Sequence, residues 1–246
     1  MINENPIGLF DSGIGGTSIW KEVHALMPYE NTIYLADSKN APYGLKSKDE
    51  IIALSCKNTE FLLENNCKII VVACNTATTN AIKELRAKYD VPFIGIEPAI
   101  KPAALQSKTQ KIGILATKGT LNSELFHKSV ANHPDVTIIE QIGHGLVQLI
   151  ENGDMNSAEM EELLKSYLNP MVEKNIDYLV LGCSHYPYLI PQIKKIIPSQ
   201  IKIIDSGEAV AKQTQKILEQ SHLLNLTNEK SSQIFYTNSG PEVLKT

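Results

Sequence analysis

The stretch Ile69-Ile-Val-Val-Ala-Cys-Asn-Thr-Ala77 is an apolar run that ends in a cysteine and two polar residues. Its first five residues lack the polar alternation of a half-exposed strand, so they predict a strand that is buried on both faces. The residues that follow, from Thr76 to Tyr89, form an amphipathic, helix-like stretch. A strand, a short polar loop and a helix in this order indicate a parallel sheet covered by helices.

The same arrangement recurs along the chain. Short β-rich apolar runs alternate with amphipathic stretches such as Ser47–Asn65, which predicts an α/β protein with mainly parallel sheets. Another helix is expected to begin after Asn156 as its N-cap, and Pro170 is expected to kink or end that helix. The predicted strands are Ile7–Phe10, Thr32–Ala36, Ile69–Ala73, Phe93–Ile96, Ile112–Ala116, Val136–Ile139, Tyr178–Leu181, Ile201–Ile204 and Ile234–Tyr236.

The composition is that of an ordinary globular protein. Of the 246 residues, 43% are hydrophobic and 20% are charged, and a chain of this length can bury a core without disulfide or metal staples. The longest apolar run, Ile69–Cys74, is far shorter than the ~20 residues that span a membrane. The net charge is −4 and there is no basic stripe. With no signal-peptide pattern at the N-terminus, we expect a cytoplasmic protein without membrane or nucleic-acid partners.

Two halves of the chain share one order of motifs. In each half a strand runs into a polar loop containing glycine, and a later strand runs into a cysteine. These loops begin at Asp11 and Thr117, and the cysteines are Cys74 and Cys183. The pattern predicts two similar α/β domains with a boundary near Glu97. Because ligands bind beyond the carboxyl ends of parallel strands, all four loops should meet in one cleft with a cysteine on each side.

The four cysteines fall into two groups. They form no CxxC or CxxH pair, so no metal site is expected. Cys56 and Cys67 lie in apolar contexts and are expected to be structural. Cys74 precedes a helix whose N-terminal amides are expected to lower the pKa of its thiol. Cys183 lies in Gly182-Cys-Ser-His-Tyr-Pro187, among hydrogen-bonding groups, so Cys74 and Cys183 are the candidate reactive thiols.

Two loops and one acid could hold a substrate. Asp11-Ser-Gly-Ile-Gly-Gly-Thr17 is neither a Rossmann fingerprint nor a P-loop. It predicts a tight turn whose amides can bind an anion, while Asp11 can accept a hydrogen bond from an ammonium group. Pro42-Tyr-Gly44 is a second loop with free amides. Glu151, at the end of a helix-like stretch, is typical of a solvated surface acid.

Two opposed thiols suit the inversion of a carbon stereocentre. One thiolate removes a proton, and the other thiol returns a proton to the opposite face, so neither sulfur needs to bond to the substrate. Two other functions remain open. Cys183 with His185 could form the nucleophile of a thiol hydrolase or acyl transferase, and the same scaffold could bind a ligand without catalysis.

Six motifs, in order, resemble the glutamate racemase family, and the resemblance runs from Ile7 to about Pro241. Two further C-terminal stretches, Ile204-Asp-Ser-Gly-Glu208 and Phe235-Tyr-Thr-Asn238, also fit. In one motif Ser184 stands where the family usually has threonine. The six motifs are Ile7-Gly-Leu-Phe-Asp-Ser-Gly-Ile-Gly-Gly16, Ala41-Pro-Tyr-Gly44 with Lys46-Ser47, Ala73-Cys-Asn-Thr-Ala77, Glu97-Pro-Ala-Ile-Lys-Pro102, Ala116-Thr-Lys-Gly-Thr120 and Leu181-Gly-Cys-Ser-His-Tyr-Pro187.

The resemblance implies a cofactor-independent isomerase without a metal that makes D-glutamate for peptidoglycan in the bacterial cytoplasm, and it implies a homodimer. A racemase of another acidic amino acid, such as aspartate, is the substrate-level alternative. It also implies that residues 208–246 return to the first domain, 1–97, and that 98–207 form the second, with the active site between them.

The resemblance implies roles for individual residues too. Cys74 acts on D-glutamate and Cys183 on L-glutamate as the two acid–base thiols. Three residues assist them: Asp11, Glu151 and His185. The substrate-binding positions are Asp11, Ser12, Tyr43, Gly44, Asn75, Thr76, Thr117, Thr120, Ser184 and His185.

Overall fold

The computed structural model describes residues 4–227, 229–240 and 242. It confirms each predicted strand, with ends that differ from the prediction by no more than three residues. The strands are β1 (Ile7–Asp11), β2 (Thr32–Ala36), β3 (Ile69–Val72), β4 (Phe93–Gly95), β5 (Lys111–Ala116), β6 (Thr137–Ile142), β7 (Tyr178–Gly182), β8 (Lys202–Ile204) and β9 (Gln233–Thr237).

Helices and 3₁₀ turns connect the strands. The 3₁₀ turns cover Ser38–Asn40, Tyr43–Leu45 and Tyr186–Leu189. Within the described part of the chain, no helix has the length and apolar character needed to cross a bilayer. The helices are α1 (Thr17–Leu26), α2 (Lys48–Glu64), α3 (Asn75–Lys88), α4 (Ile100–Gln106), α5 (Lys118–Leu121), α6 (Glu124–Ala131), α7 (Leu146–Glu151), α8 (Ala158–Glu173), α9 (Ile190–Ile196) and α10 (Gly207–Gln220).

The strands form two sheets, and the strand pairings that the structure describes are parallel. The first sheet has the order β4-β3-β1-β2-β9, and the second has the order β6-β5-β7-β8. Because β9 pairs with β2, the C-terminal part of the chain returns to the first sheet. The fold is therefore two parallel-sheet α/β domains, as expected, while the exact limits 1–97, 98–207 and 208–246 stay a prediction.

Apolar helix faces cover both sides of each sheet. In the first sheet, α1 and α10 pack on one face and α2 and α3 on the other. In the second, α7, α8 and α9 pack on one face and α4 and α6 on the other. Strands β1, β2, β3 and β7 are buried along their whole length, which explains their mainly apolar sequences. Each aliphatic side chain buried in this way contributes about 1.5–3 kcal/mol.

Side-chain capping marks the start of five of the ten described α-helices, and one cap differs from the prediction. Ser47 and Glu50 form a capping box on α2. The N-cap of α8 is Ser157, whose side chain accepts from the Met160 amide, so the prediction of Asn156 is wrong by one residue. Asn156 instead accepts a hydrogen bond from Gln192 at 2.6 Å, which is a tertiary contact.

Pro170 lies inside α8, and the helix continues past it to Glu173. It therefore does not end the helix where it stands. Because Pro170 lies in the last turn, the single backbone hydrogen bond that it removes costs less than it would in the middle of a helix.

Candidate active site

Cys74 lies two residues after the end of β3 and serves as the N-cap of α3. Its sulfur accepts a hydrogen bond from the Ala77 amide at 3.5 Å and lies 4.0 Å from the Ser12 hydroxyl. Burial and the Asp11 carboxylate raise the pKa of Cys74 well above its usual range, and the Ala77 amide opposes them only in part. The expectation of a lowered pKa is therefore wrong for this structure, because the helix N-terminus is outweighed by desolvation and a neighbouring negative charge.

Cys183 occupies the matching place after β7 in the second sheet. Its sulfur lies 3.8 Å from His185 Nδ1, and both residues are buried. On the other side of the ring, His185 Nε2 lies 2.5 Å from Glu151 Oε1. Burial lowers the pKa of His185, but hydrogen bonds with Cys183 and Glu151 and the charge of Asp11 outweigh it and raise that pKa well above its usual value. A cationic imidazolium beside Cys183 would attract a thiolate.

Glu151 joins the two halves of the site. Besides its contact with His185, Oε1 accepts a hydrogen bond from the Ile14 amide at 2.7 Å. The side chain is only 14% exposed. The interpretation of Glu151 as a solvated surface acid is therefore wrong, since the carboxylate ties the glycine-rich loop of the first domain to a histidine of the second.

Asp11 ends β1 and is completely buried. Its Oδ2 accepts from the Gly16 amide at 2.7 Å and from the Ser184 hydroxyl at 3.3 Å, and it lies 3.9 Å from His185 Nδ1. Burial raises the pKa of Asp11, while the charge of His185 lowers it in part. Among the described residues Oδ1 has no hydrogen-bond partner.

The glycine-rich loop packs against the second domain. A Cβ added to Gly13 would lie 1.8 Å from Glu151 Oε1, and one added to Gly15 would lie 2.2 Å from His185 Nδ1. Glycine is therefore required here for close approach. The amides of Ile14 and Gly16 bond to carboxylates of the protein itself, so the expected role of this loop as an anion-binding turn does not extend to these two amides.

Three threonine hydroxyls meet across the interface between the domains. Thr76 Oγ1, at the start of α3, lies 2.8 Å from Thr117 Oγ1 and 3.4 Å from Thr120 Oγ1. Thr117 and Thr120 are themselves 3.1 Å apart at the N-terminus of α5. The cluster brings the Cys74 loop and the Thr117 loop together, as the sequence predicted.

A small cavity of about 10 Å³, room for roughly one water molecule, lies beside both thiols and receives side chains from both domains. Asp11, Thr120 and Glu151 do not line it, because each lies behind a residue that does. Two lining residues, Pro42 and Val147, were not predicted; Pro42 stood within a quoted motif, whereas Val147 carried no sequence signal. The lining residues are Ser12, Pro42, Tyr43, Gly44, Cys74, Asn75, Thr76, Thr117, Val147, Cys183, Ser184 and His185.

The remaining two cysteines lie away from the cavity lining. Cys67 is buried and Cys56 is half-buried, both in the apolar cluster beneath α2. In the described ranges, no group of three or more histidine, cysteine, aspartate or glutamate side chains is arranged to hold a metal ion.

Known proteins match this chain over nearly its whole length. The family model described as Asp/Glu/Hydantoin racemase matches residues 17–214. A glutamate racemase of Herpetosiphon aurantiacus is 42% identical over 98% of this chain and 95% of its own length.

Solved structures of glutamate racemases are similar to this chain in fold. A glutamate racemase isoform of Bacillus anthracis has a TM-score of 0.88 and 31% identity, covering 98% of this chain and 91% of its own. The Escherichia coli glutamate racemase, solved with L-glutamate and the activator UDP-MurNAc-Ala, has a TM-score of 0.86 and 32% identity over 98% of this chain and 92% of its own. This chain therefore belongs to the Asp/Glu/Hydantoin racemase family and is an isomerase of the racemase type.

Proposed function

We propose that this protein interconverts L- and D-glutamate without a cofactor, by proton transfer between the substrate α-carbon and the two thiols of Cys74 and Cys183. The observation that carries the proposal is that both sulfurs line one small cavity, one from each domain. The relatives named glutamate racemase support glutamate as the substrate, as does the L-glutamate bound in the Escherichia coli structure.

In the L-to-D direction, Cys183 acts as the base and Cys74 as the acid. The Cys183 thiolate takes the α-proton, and the Cys74 thiol delivers its proton to the opposite face of the carbon. Burial and Asp11 raise the pKa of Cys74, which keeps it protonated and ready to donate. The imidazolium of His185 stabilises the Cys183 thiolate. After the step the thiol and thiolate have exchanged, so no atom is gained or lost.

The cavity wall offers groups for each part of an amino acid. The unpartnered Oδ1 of Asn75, which lines the cavity, can accept from an ammonium group, and the unpartnered Oδ1 of Asp11 lies behind the lining. Ser12 and Thr76 line the cavity and can donate from their hydroxyls to carboxylates, and the Ser184 hydroxyl, also on the lining, donates to Asp11. Thr117 and Thr120 support this set through the threonine cluster. These assignments use the positions that the sequence analysis named.

One contact favours the alternative of a thiol hydrolase: Cys183 Sγ lies 3.8 Å from His185 Nδ1. That alternative leaves Cys74 without a role, although Cys74 lines the same cavity. Two-base racemisation uses both sulfurs and is therefore preferred. By the same family relationship we propose that the D-glutamate supplies peptidoglycan synthesis in the cytoplasm and that the enzyme is a homodimer.

The test is racemisation of L-glutamate by purified protein in heavy water, with no added cofactor. Circular dichroism follows the loss of chirality and mass spectrometry follows deuterium. We expect the signal to decay to zero, with one deuterium in each D-glutamate formed. Inversion without deuterium uptake would contradict the proton-transfer scheme, and activity on L-aspartate alone would change the substrate.

The two thiols are then tested singly. Cys74→Ser and Cys183→Ser are each expected to lower racemisation at least ~10³-fold, because a serine hydroxyl is a far weaker acid than a thiol and is not ionised near neutral pH, so it neither donates readily nor removes the α-proton. Cys56→Ser is the matched control, since Cys56 lies outside the cavity, and it should retain normal turnover. Full turnover by Cys74→Ser or by Cys183→Ser would contradict the two-base mechanism.

A further inference from the structure

Asp37, the first residue after β2, is a buried carboxylate surrounded by neutral donors. Asn40 Nδ2 donates to its Oδ1 at 2.7 Å. Asn238 Nδ2 donates to the same oxygen, and the Tyr43 hydroxyl donates to Oδ2. Asp37 is only 2% exposed. Burial of a carboxylate is costly unless it accepts hydrogen bonds. The folded structure is therefore expected to keep all three donors in contact with Asp37.

The register of the first sheet explains why a C-terminal residue reaches Asp37. The parallel pairing of β2 with β9 places Ala36 beside Thr237. The next residue on each strand is Asp37 on one and Asn238 on the other, so they are neighbours at the carboxyl edge. Asn238 also accepts from the Lys39 amide at 2.9 Å. The segment 38–45 is thus fastened to the ends of two strands.

Within this segment the Tyr43 hydroxyl is bonded inside the protein. It donates to Asp37 and accepts from Asn58 Nδ2 at 3.0 Å. Burial and the Asp37 carboxylate raise the pKa of Tyr43 well above its usual range, so it stays protonated. A hydroxyl has one proton to donate, and here it goes to Asp37. Tyr43 and Gly44 nevertheless line the cavity, which leaves their backbone amides as the donors for a substrate.

We propose that Asp37 is a positioning residue, which together with Asn238 fixes the Tyr43–Gly44 backbone so that its amides receive a substrate carboxylate. The inference rests on the proposed function. Asp37 contacts neither thiol in the described contacts, so it takes no part in the proton transfer. A preformed carboxylate site binds substrate and transition state alike, and its loss therefore raises KM while kcat changes little.

The test compares Asp37→Asn, Tyr43→Phe and the double variant. Each single change removes the same charge-assisted hydrogen bond, and we expect a rise in KM for glutamate of about 10-fold, with kcat within about 2-fold of wild type. The double variant should raise KM no further than the larger single effect, because the bond can be lost only once. Independent, additive effects on KM would overturn the proposal.

Asn238→Ala is a milder change, because Asn40 and Tyr43 still donate hydrogen bonds to the Asp37 carboxylate. We expect KM to rise about 3-fold. Its matched control is Asn225→Ala, the same residue type in the same C-terminal part of the chain. Asn225 Nδ2 donates to the Tyr29 carbonyl at 3.0 Å and has no contact with the 38–45 segment. That control should change stability and leave KM alone; an equal rise in KM for both would contradict the proposal.

Calorimetric titration with D-glutamate gives a readout that is independent of turnover. The affinity should fall in each variant by the same factor by which KM rises. A wild type that neither binds nor racemises glutamate contradicts the proposed function and this inference together. A wild type that racemises normally, with variants that lose kcat at unchanged KM, contradicts the positioning role alone.

Discussion

At the scale of single residues, Asp11 is the charged neighbour that affects Cys74 most. Burial is the largest cause of the raised pKa of Cys74, and the negative charge of Asp11 raises that pKa further. We predict that Asp11→Asn lowers the pKa of Cys74, because a neutral amide no longer opposes formation of a thiolate. The thiolate absorbance step near 240 nm should therefore move to lower pH.

The Cys74 contribution to that titration is isolated by subtracting the curve of Cys74→Ser in each background. Racemisation from L- to D-glutamate is expected to fall in Asp11→Asn, since the charge that helps to keep Cys74 protonated is removed. An unchanged or more alkaline step for Cys74 would show that the Asp11 charge does not reach the thiol.

At the scale of elements, the loop between β1 and α1 carries the contact between domains. Gly15 packs directly on the His185 ring. We predict that Gly15→Ala lowers kcat/KM about 10²-fold, because the added methyl group must push the imidazole away from Cys183, and a displacement of ~1 Å can cost that much. Steady-state kinetics at several pH values measure the loss.

The matched control is Gly113→Ala in β5. A Cβ there would lie 2.9 Å from Ile176 and Met171 in the core of the second domain. Overpacking of this kind costs about 1–3 kcal/mol of stability, but Gly113 is remote from the cavity lining. The control should therefore unfold more easily and keep normal kcat/KM. Similar kinetic losses in both variants would point to general destabilisation instead.

At the scale of the whole molecule, a buried ion pair secures the C-terminal return to the first sheet. Lys68 Nζ lies 2.6 Å from Glu30 Oε2, with side chains only 2% and 3% exposed. The amide of Asn225, which follows α10, donates to the other Glu30 oxygen at 2.7 Å. We predict that Lys68→Met lowers the free energy of unfolding by about 3–5 kcal/mol, because it leaves a buried carboxylate without its cation. Urea denaturation followed by circular dichroism measures this.

The double variant Glu30→Gln with Lys68→Met removes both charges. It should recover much of the lost stability, because no unpaired charge remains buried. Racemisation by the folded fraction should stay near wild type in both variants, since the pair does not line the cavity. A double variant as unstable as the sum of its two single variants would contradict this account.

The sequence by itself determined the strands, their parallel arrangement and the two thiols. Unbroken apolar runs such as Ile69–Val72 record burial on both faces, which is a local property of the chain. Chain direction then places the residues after each parallel strand at one edge of its sheet, so Cys74 and Cys183 could be named as candidate site residues before any coordinates. Both lie where this reasoning put them.

Only the tertiary structure decided which partners those residues meet. Ile14 and Glu151 are 137 positions apart, and the sequence around Glu151 is that of an ordinary surface helix. The raised pKa of Cys74 and the place of Asn238 beside Asp37 likewise depend on groups from distant segments. The local sequence pattern indicates whether a side chain is buried. Its pKa and its hydrogen bonds depend instead on the groups buried beside it, and those groups come together only when the chain folds.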